Sequence, residues 1–286
     1  MALIPPLYFN CVVTLGTRKP GCEVSWCGTG TLVGRHFRRQ ADRSSQYHVF
    51  IVTNKHVLEN QREMVVRFNP LDSQPAQNFD IPLYNHEGDA LWKGHPNRNI
   101  DLAAIGINSD FLRQEGIQYD FFQSDNHLMP LDEMARSGIS EGDFIYVLGF
   151  PMGIGAPNRQ YVIARSGIIA RLRDTLENNS KDFLVDAMVF PGNSGGPVIY
   201  KPEIISIEGT RSVTKPGLIG IVTSYLTYSE AALSQQTGQP RIVFEENSGL
   251  AVVIPVDYVI ETLDVAFTAC RIKERDLVDG TVPEFA

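Results

Sequence analysis

A serine on a glycine-rich turn is the clearest place in this sequence for chemistry. Residues 192–197 read Gly-Asn-Ser-Gly-Gly-Pro and follow an apolar run at 183–190. Small residues in such a turn let another backbone come close. The amide groups of Gly192 and Ser194 can point at one spot, where they would stabilise the oxyanion of a tetrahedral intermediate. Ser194 is therefore a candidate nucleophile, and the alternative is a glycine-rich β-turn with an inert serine.

A serine hydroxyl becomes a good nucleophile only when a neutral imidazole removes its proton and a carboxylate orients that imidazole. All six histidines precede Ser194 in the chain: His36, His48, His56, His86, His95 and His127. This order excludes the nucleophile elbow of α/β-hydrolases, whose pattern the turn also fits, because that fold needs its histidine after the serine. A subtilisin-like order would require an aspartate before the histidine, and only Asp42, in a charged loop, is available for it.

His56 and Asp101 are the best candidates for the base and its carboxylate. His56 follows the apolar run at 47–53, so it lies at the end of a predicted strand. Asp101 opens the run at 101–107, where a carboxylate can lie at the mouth of a strand beside an imidazole. A solvated aspartate at the start of a strand is the alternative for Asp101, and it has to be weighed together with His56 and the serine turn.

The elements that would position these residues are predicted to be antiparallel strands. Short runs rich in Val, Ile, Phe and Tyr recur between turn residues, and no helical pattern alternates with them. The predicted strands are 47–53, 64–68, 102–107, 143–150, 161–169, 184–189, 197–200, 218–224, 242–244 and 250–254. Two packed barrels or a sandwich fit this pattern.

Three long loops and one helix complete the predicted organisation. The loops are 69–98, 111–142 and 226–249, the last being rich in Ser, Thr and Gln. The helix begins after Asp257, a plausible N-cap. Its apolar positions repeat at helical spacing. They are Val259, Ile260, Leu263, Ala266, Phe267 and Cys270.

Composition excludes several function classes. The chain of 286 residues has a formal net charge of −8, the wrong sign for a general nucleic-acid binder. It contains no apolar run of the roughly 18 residues that a membrane span needs. Residues 1–6 lack the basic start of a secretion signal, and four cysteines are too few for a disulfide framework in a chain this long. We expect reduced thiols, a cytoplasmic location, no metal and no cofactor.

Several separated motifs resemble the trypsin-fold serine proteases, most closely the HtrA (Deg) branch. They stand in the expected order and span about residues 25 to 265. The motifs are 26–33 (WCGTGTLV), 53–57 (TNKHV), 101–103 (DLA), 148–151 (LGFP), 192–197 (GNSGGP) and, further on, 220–223 (GIVT) with 249–256 (GLAVVIPV).

The resemblance implies an all-β fold of two antiparallel six-stranded β-barrels with a C-terminal helix. The first barrel would span residues 1–125, the second 126–254, and the helix and tail 255–286. The resemblance makes His56 the general base, Asp101 its orienter and Ser194 the nucleophile, with an oxyanion hole at the amides of Gly192 and Ser194. Thr223 would donate a hydrogen bond to Asp101.

The resemblance also implies where a peptide substrate would lie. Thr223, Ser224 and Tyr225 would pair with its backbone as an added strand. Met188 and Val189 would form the base of the first substrate pocket, with Tyr225 and Val252 as walls. Because no carboxylate stands there, we expect apolar side chains before the cleaved bond. The loop at 226–249 would border this pocket, either as a lid or regulatory loop or as a structural flap.

Departures from the family pattern carry further expectations. Val57 stands where animal trypsins have the cysteine that would pair with Cys27, and Phe190 stands at another disulfide position. Both changes agree with a reducing compartment. Asn193 replaces the aspartate that receives the new amino terminus in zymogens, so we expect activity without N-terminal cleavage. No PDZ domain, common in HtrA relatives, fits after residue 254. The alternative function is a catalytically silent module that binds peptides or a protein partner, and the oligomeric state stays open.

Overall fold

The computed structural model describes residues 4–21, 23–39, 45–155, 158–203, 213 and 215–278 of the chain. Strands dominate these residues, as the alternating apolar runs predict. The strands are β1 (Val12–Arg18), β2 (Val24–Arg39), β3 (Ser45–Thr53), β4 (Glu63–Pro70), β5 (Gln77–Pro82), β6 (Trp92–Gly94), β7 (Ala103–Gly106), β8 (Ile117–Gln118), β9 (Phe122–Gln123), β10 (Phe144–Gly149), β11 (Ile163–Arg171), β12 (Phe183–Asp186), β13 (Pro197–Tyr200), β14 (Gly217–Leu233) and β15 (Pro240–Pro255). The α-helices are α1 (Pro6–Asn10), α2 (Lys55–Leu58), α3 (Ser109–Gln114), α4 (Leu131–Ser137), α5 (Arg173–Leu176) and α6 (Val256–Val278), and a 3-10 turn spans Pro151–Gly153.

The N-terminal strands form one curled sheet in the order β5-β4-β1-β2-β3-β7-β6, with β8 beside β4 and β9 beside β2. Its concave side is filled by side chains that alternate along the strands, among them Val13, Leu15, Leu32 and Ile51. Within the described residues this sheet does not close on itself. The sheet is a curled half-barrel with β5 and β6 at its two edges, and it corresponds to the first barrel of the predicted double barrel.

The C-terminal strands form a closed barrel in the order β10-β11-β12-β15-β14-β13, as predicted for the second barrel. Its interior is packed with fully buried apolar side chains such as Val147, Phe183 and Val253. The two sheets together confirm the predicted double-barrel class with a C-terminal helix. The chain passes from β9 to β10 around residues 124–143, the stretch that holds the predicted boundary at 125/126; the division into domains stays a prediction.

Helix α6 packs between the two sheets. Val259, Leu263 and Ala266 are buried in a core that also contains Phe50 of the first sheet and Leu218 of the barrel. Ile260, Phe267 and Cys270 pack against the same core, so the predicted apolar face is confirmed. The helix begins at Val256, which puts Asp257 inside its first turn, where its carboxylate accepts the Leu131 N–H at 3.0 Å.

The predicted loops contain regular structure that the sequence pattern did not reveal. β5 and β6 lie within 69–98, and α3, β8, β9 and α4 overlap 111–142. Residues 226–249 are not a loop either, because β14 and β15 continue through most of them as a long antiparallel hairpin. Cys11 and Cys27 are free cysteines, and Cys22 lies outside the described residues. No helix in the described ranges has the length and apolarity to cross a bilayer.

Candidate active site

His56 and Asp101 come together because β3 and β7 are antiparallel neighbours. Thr53, the last residue of β3, pairs with Ala103, the first residue of β7, so the residues just beyond β3 face those just before β7. His56 lies in the single turn of α2 that follows β3. Its Nδ1 is 2.6 Å from Asp101 Oδ2, and its backbone N–H donates to Asp101 Oδ1 at 3.2 Å.

This contact determines which ring nitrogen faces the carboxylate. An ionised carboxylate only accepts hydrogen bonds, so Nδ1 of His56 is the donor, and in a neutral imidazole the lone pair then lies on Nε2. Burial alone raises the pKa of the Asp101 carboxyl, but hydrogen bonds from His56 and from the Thr223 hydroxyl (3.2 Å) outweigh it, and the pKa lies below its usual value. The aspartate is thus ionised at neutral pH, and the imidazole is oriented as a proton acceptor.

Asn54 was not identified from the sequence, although it precedes His56 by only two residues. Its side chain is fully buried, and its Nδ2 donates to the Asp101 carbonyl at 2.7 Å. Asn54 therefore ties the end of β3 to the backbone of the orienting aspartate. The sequence carried a signal for it, because a polar residue directly after a buried strand needs a partner.

Ser194 comes from the other sheet, and β2 holds it in place. Thr29 N–H donates to the Ser194 carbonyl at 2.9 Å, and the Thr31 hydroxyl donates to the Gly195 carbonyl at 2.8 Å. Both threonines are fully buried. Gly195 has φ +87°, and a Cβ there would lie 2.0 Å from the Thr29 carbonyl oxygen. Only glycine allows the serine turn to approach β2 this closely.

The peptide groups around Ser194 leave two amides without an acceptor in the described structure. The Pro191 carbonyl accepts Met152 N–H at 2.6 Å, and the Asn193 carbonyl accepts Gly196 N–H at 2.8 Å. In a trans peptide the N–H points opposite to the carbonyl, so Gly192 N–H and Ser194 N–H are turned away from these contacts. The hydrogen bonds to the Pro191 and Asn193 carbonyls therefore fix the directions of the Gly192 and Ser194 N–H groups, the predicted oxyanion-hole amides.

The peptide group between Gly192 and Asn193 is also held by hydrogen bonds. The Thr29 hydroxyl donates to the Gly192 carbonyl at 2.6 Å, and Asn193 N–H donates to the Phe190 carbonyl at 2.9 Å. The Asn193 side chain, 2 % exposed, accepts Phe190 N–H at 3.0 Å. Asn193 thus holds the serine turn through two hydrogen bonds to Phe190. These bonds do not require a salt bridge to an N-terminal amino group.

Ser194, His56 and Asp101 all line one open cavity of about 460 Å³. The Ser194 hydroxyl donates to the Thr223 carbonyl at 3.2 Å. Among the described residues it makes no hydrogen bond to His56. The serine side chain would have to turn away from Thr223 for its hydroxyl to contact the imidazole.

The remaining predicted site residues are placed as follows. Val189, Thr223, Ser224 and Tyr225 line the same cavity. Met188 does not: its side chain is 45 % exposed and lies outside the lining. The position predicted for it is corrected, and Phe190, which the sequence did not suggest, lines the cavity instead. The described part of the chain contains no cluster of three His, Cys, Asp or Glu side chains that could hold a metal ion.

A closed antiparallel barrel facing a curled antiparallel sheet, with a serine, a histidine and an aspartate at one cavity, is the architecture of the double-barrel peptidases. The sequence profile of the trypsin-like peptidase domain matches residues 28–202, so the chain belongs to this family.

A curated relative and a solved structure add to this finding. The chain is 27 % identical over 175 residues to a probable periplasmic serine endoprotease, DegP-like, of Chlamydia pneumoniae. The match covers 60 % of this chain and 28 % of the relative's length. A crystal structure of the scabies mite inactivated protease paralogue S-I1 aligns over 92 % of this chain and 95 % of its own, with a TM-score of 0.46 and 13 % identity. The chain thus belongs to the trypsin-like peptidase family and is similar in sequence to a DegP-like relative.

Proposed function

We propose that the chain is a serine endopeptidase that cleaves peptide bonds through an acyl-enzyme at Ser194. The observation that carries this proposal is the 2.6 Å contact between His56 and Asp101 at the cavity that Ser194 also lines. Nε2 of His56 takes the proton from the Ser194 hydroxyl while the oxygen attacks the substrate carbonyl. The amides of Gly192 and Ser194 stabilise the oxyanion that forms.

The later steps use the same groups. The protonated imidazole gives its proton to the leaving amine, and the acyl-enzyme remains on Ser194. Water, deprotonated by His56, then attacks the ester and releases the second product. Asp101 stays ionised throughout and stabilises the imidazolium. No cofactor takes part.

Substrate binding prepares the nucleophile. A peptide added antiparallel to residues 223–225 would present an N–H to the Thr223 carbonyl, the acceptor that the Ser194 hydroxyl uses in its absence. Because a backbone amide displaces the hydroxyl, the hydroxyl becomes free to turn to His56. The proposed substrate is therefore an extended peptide or protein segment.

The cavity favours apolar side chains at P1, the residue whose carbonyl is attacked. Val189, Phe190, Val222 and Tyr225 contribute to its lining, and no carboxylate other than Asp101 does. We expect a library of peptides to be cleaved after aliphatic or other apolar residues. A profile dominated by Arg or Lys, or by Asp or Glu, would contradict this specificity without affecting the proposed mechanism.

A catalytically silent peptide-binding module is the second candidate function, and one observation favours it: the Ser194 hydroxyl is bound to Thr223 and not to His56. Labelling with a fluorophosphonate probe separates the two functions. We expect the unaltered chain to label and the Ser194→Ala variant not to label. If the folded, unaltered chain never labels, the endopeptidase proposal is wrong and the binding module is favoured.

Met152 provides a test of the oxyanion amides that leaves the triad intact. Its N–H holds the Pro191 carbonyl, and its φ of +56° is a left-handed value that is uncommon outside glycine. Met152→Pro removes the donor and cannot adopt this φ. We expect kcat to fall about 10²-fold to 10³-fold, the cost of losing one oxyanion donor, with a smaller change in KM.

Met152→Gly is the matched control because it keeps the N–H and adopts positive φ without strain. Its kcat should stay close to that of the unaltered chain. Thermal unfolding of both variants shows whether the proline variant is folded. Equal kcat values for the proline and glycine variants would mean that the Pro191 carbonyl contact does not control the oxyanion site.

A reducing compartment, the cytoplasm, is part of the proposal. The free cysteines Cys11 and Cys27 support it, since Val57 stands where a partner for Cys27 would be. The relative from Chlamydia pneumoniae is described as periplasmic, so the location needs its own test. When cells that express the chain are fractionated, we expect the chain in the same fraction as cytoplasmic marker proteins.

A further inference from the structure

β14 and β15 extend well past the barrel as a two-stranded arm, which we define as residues 226–247. The pairing continues without interruption from Thr227 opposite Asn247 to Ala232 opposite Ile242. Nearly every residue of the arm is exposed. An isolated two-stranded hairpin is marginally stable in water, so an arm of this length needs a reason to keep its strands paired.

One face of the arm is apolar. Residues directly opposite each other in an antiparallel pair project to the same face, and faces alternate along each strand. Tyr228, Phe244 and Ile242 therefore share one face with Ala232. Their side chains are 57 %, 54 % and 56 % exposed. Large apolar groups exposed together in this way mark a binding surface more often than a solvated one.

Carboxylates accompany this apolar face. Glu230 lies opposite Phe244, and Glu246 lies opposite Tyr228, so both belong to the same face. Over the whole arm there are three glutamates, the third being Glu245, and a single arginine, Arg241. The surface therefore attracts a ligand that carries both apolar and basic side chains.

The arm continues the strand that borders the cavity. β13 pairs with β14 only as far as Ile221, and beyond it the edge of β14 that faces away from β15 has no partner among the described strands. Residues 223–225 of this edge line the catalytic cavity. Residues 226–233 extend the same edge by roughly 27 Å at about 3.4 Å per residue.

We infer that the arm is a long extension of the substrate cleft, which binds an unfolded stretch of the substrate on the N-terminal side of the cleaved bond. The stretch adds to the free edge of β14 as an antiparallel third strand. It runs toward the cavity, because antiparallel pairing at residues 223–225 places upstream residues beside 226–233. It carries apolar and basic side chains on the face of the sheet that also bears Tyr228, Phe244 and the glutamates. This inference rests on the proposed peptide-binding role of the cleft.

The first experiment measures binding without cleavage, so that its failure is distinct from a failure of catalysis. Two peptides share the same residues next to the scissile bond; the short one has about five residues, and the long one adds about eight upstream residues in the repeat Leu-Ser-Lys-Ser, which places Leu and Lys on one face of a strand. Affinities are measured by fluorescence anisotropy with the Ser194→Ala chain. We expect the long peptide to bind at least about tenfold more tightly, because it forms several additional strand hydrogen bonds.

Shortening the arm provides the matched control. Residues 228–246 are replaced by Asn-Gly, which makes a two-residue hairpin turn between the paired residues Thr227 and Asn247. We expect this variant to bind the short peptide as before and to lose its preference for the long one. Changing Lys to Glu in the long peptide should also reduce the preference. An unaltered chain with no preference, or a shortened chain that keeps it, would overturn the inference.

A second experiment distinguishes strand addition from general apolar contact. Methylation of successive upstream amides in the long peptide removes one donor at a time. In an added strand only every second N–H points toward its neighbour, so losses in affinity should alternate along the peptide. Equal losses at all positions, or none, would contradict strand addition. If shortening the arm abolished self-association of the chain in sedimentation and left peptide binding unchanged, the arm would be a contact between copies and the inference would be wrong.

Discussion

Ser194→Ala is expected to lower kcat for a peptide substrate about 10⁶-fold, and His56→Ala by a similar factor. Both variants remove the same step, the attack of a hydroxyl that has lost its proton to an imidazole. The double variant should therefore be no worse than either single one, because residues that act as a unit are far from additive.

The measurement is the steady-state turnover of each variant with one peptide substrate. Ser166→Ala changes an exposed serine of β11 and is the matched control, which should keep full activity. Residual activity in Ser194→Ala within tenfold of the unaltered chain would show that this serine is not the nucleophile.

Asp101→Asn is expected to reduce kcat about 10⁴-fold with little change in the structure of the cleft. The carboxylate accepts the Nδ1 proton of His56 at 2.6 Å, whereas an amide that presents its N–H there would place the proton on Nε2. His56 would then lack a lone pair toward the serine. Binding of a peptide should change much less than its turnover.

The pKa of Asp101 also predicts how the site responds to acid. The pKa of Asp101 lies below its usual value because the hydrogen bonds from His56 and Thr223 outweigh the effect of burial. The charge is thus present above the usual range of about pH 4 and is lost only as the pH falls through the lower folded value. Thr223→Val removes one of these hydrogen bonds, so the Asp101 carboxyl, followed by NMR of its side-chain carbon, should titrate at a higher pH. An identical titration of Asp101 in both proteins would contradict this role of Thr223.

The residues proposed to act in catalysis were easier to predict from the sequence than the surfaces around them. His56, Asp101 and Ser194 lie in short motifs whose order along the chain excludes competing folds, and the closed barrel follows from regularly spaced apolar runs. The arm gave no such signal. Both of its faces are exposed, so the period-two alternation that marks a half-buried strand is absent, and its Ser, Thr and Gln content is typical of loops.

Other features depend on tertiary contacts that the local sequence does not encode. Met152 has a left-handed backbone conformation that its residue type does not predict. This conformation accompanies the hydrogen bond from its N–H to the Pro191 carbonyl. Met188 was placed in the cavity by its position next to Val189. Along an extended segment neighbouring side chains point to opposite sides, and Val189 is the one turned inward. The missing closure of the first sheet likewise depends on which strands lie at its edges.

Helix α6 has a consequence for the alignment of the reacting groups. The base and its aspartate belong to one sheet and the nucleophile to the other, while α6 buries its apolar face against both. It is also fastened to the first sheet by the Arg35–Asp264 ion pair at 2.6 Å and by His95–Glu261 at 3.0 Å. Sliding of the two halves past each other would break these contacts, so we expect helix α6 to keep the proposed catalytic residues aligned without belonging to the site itself.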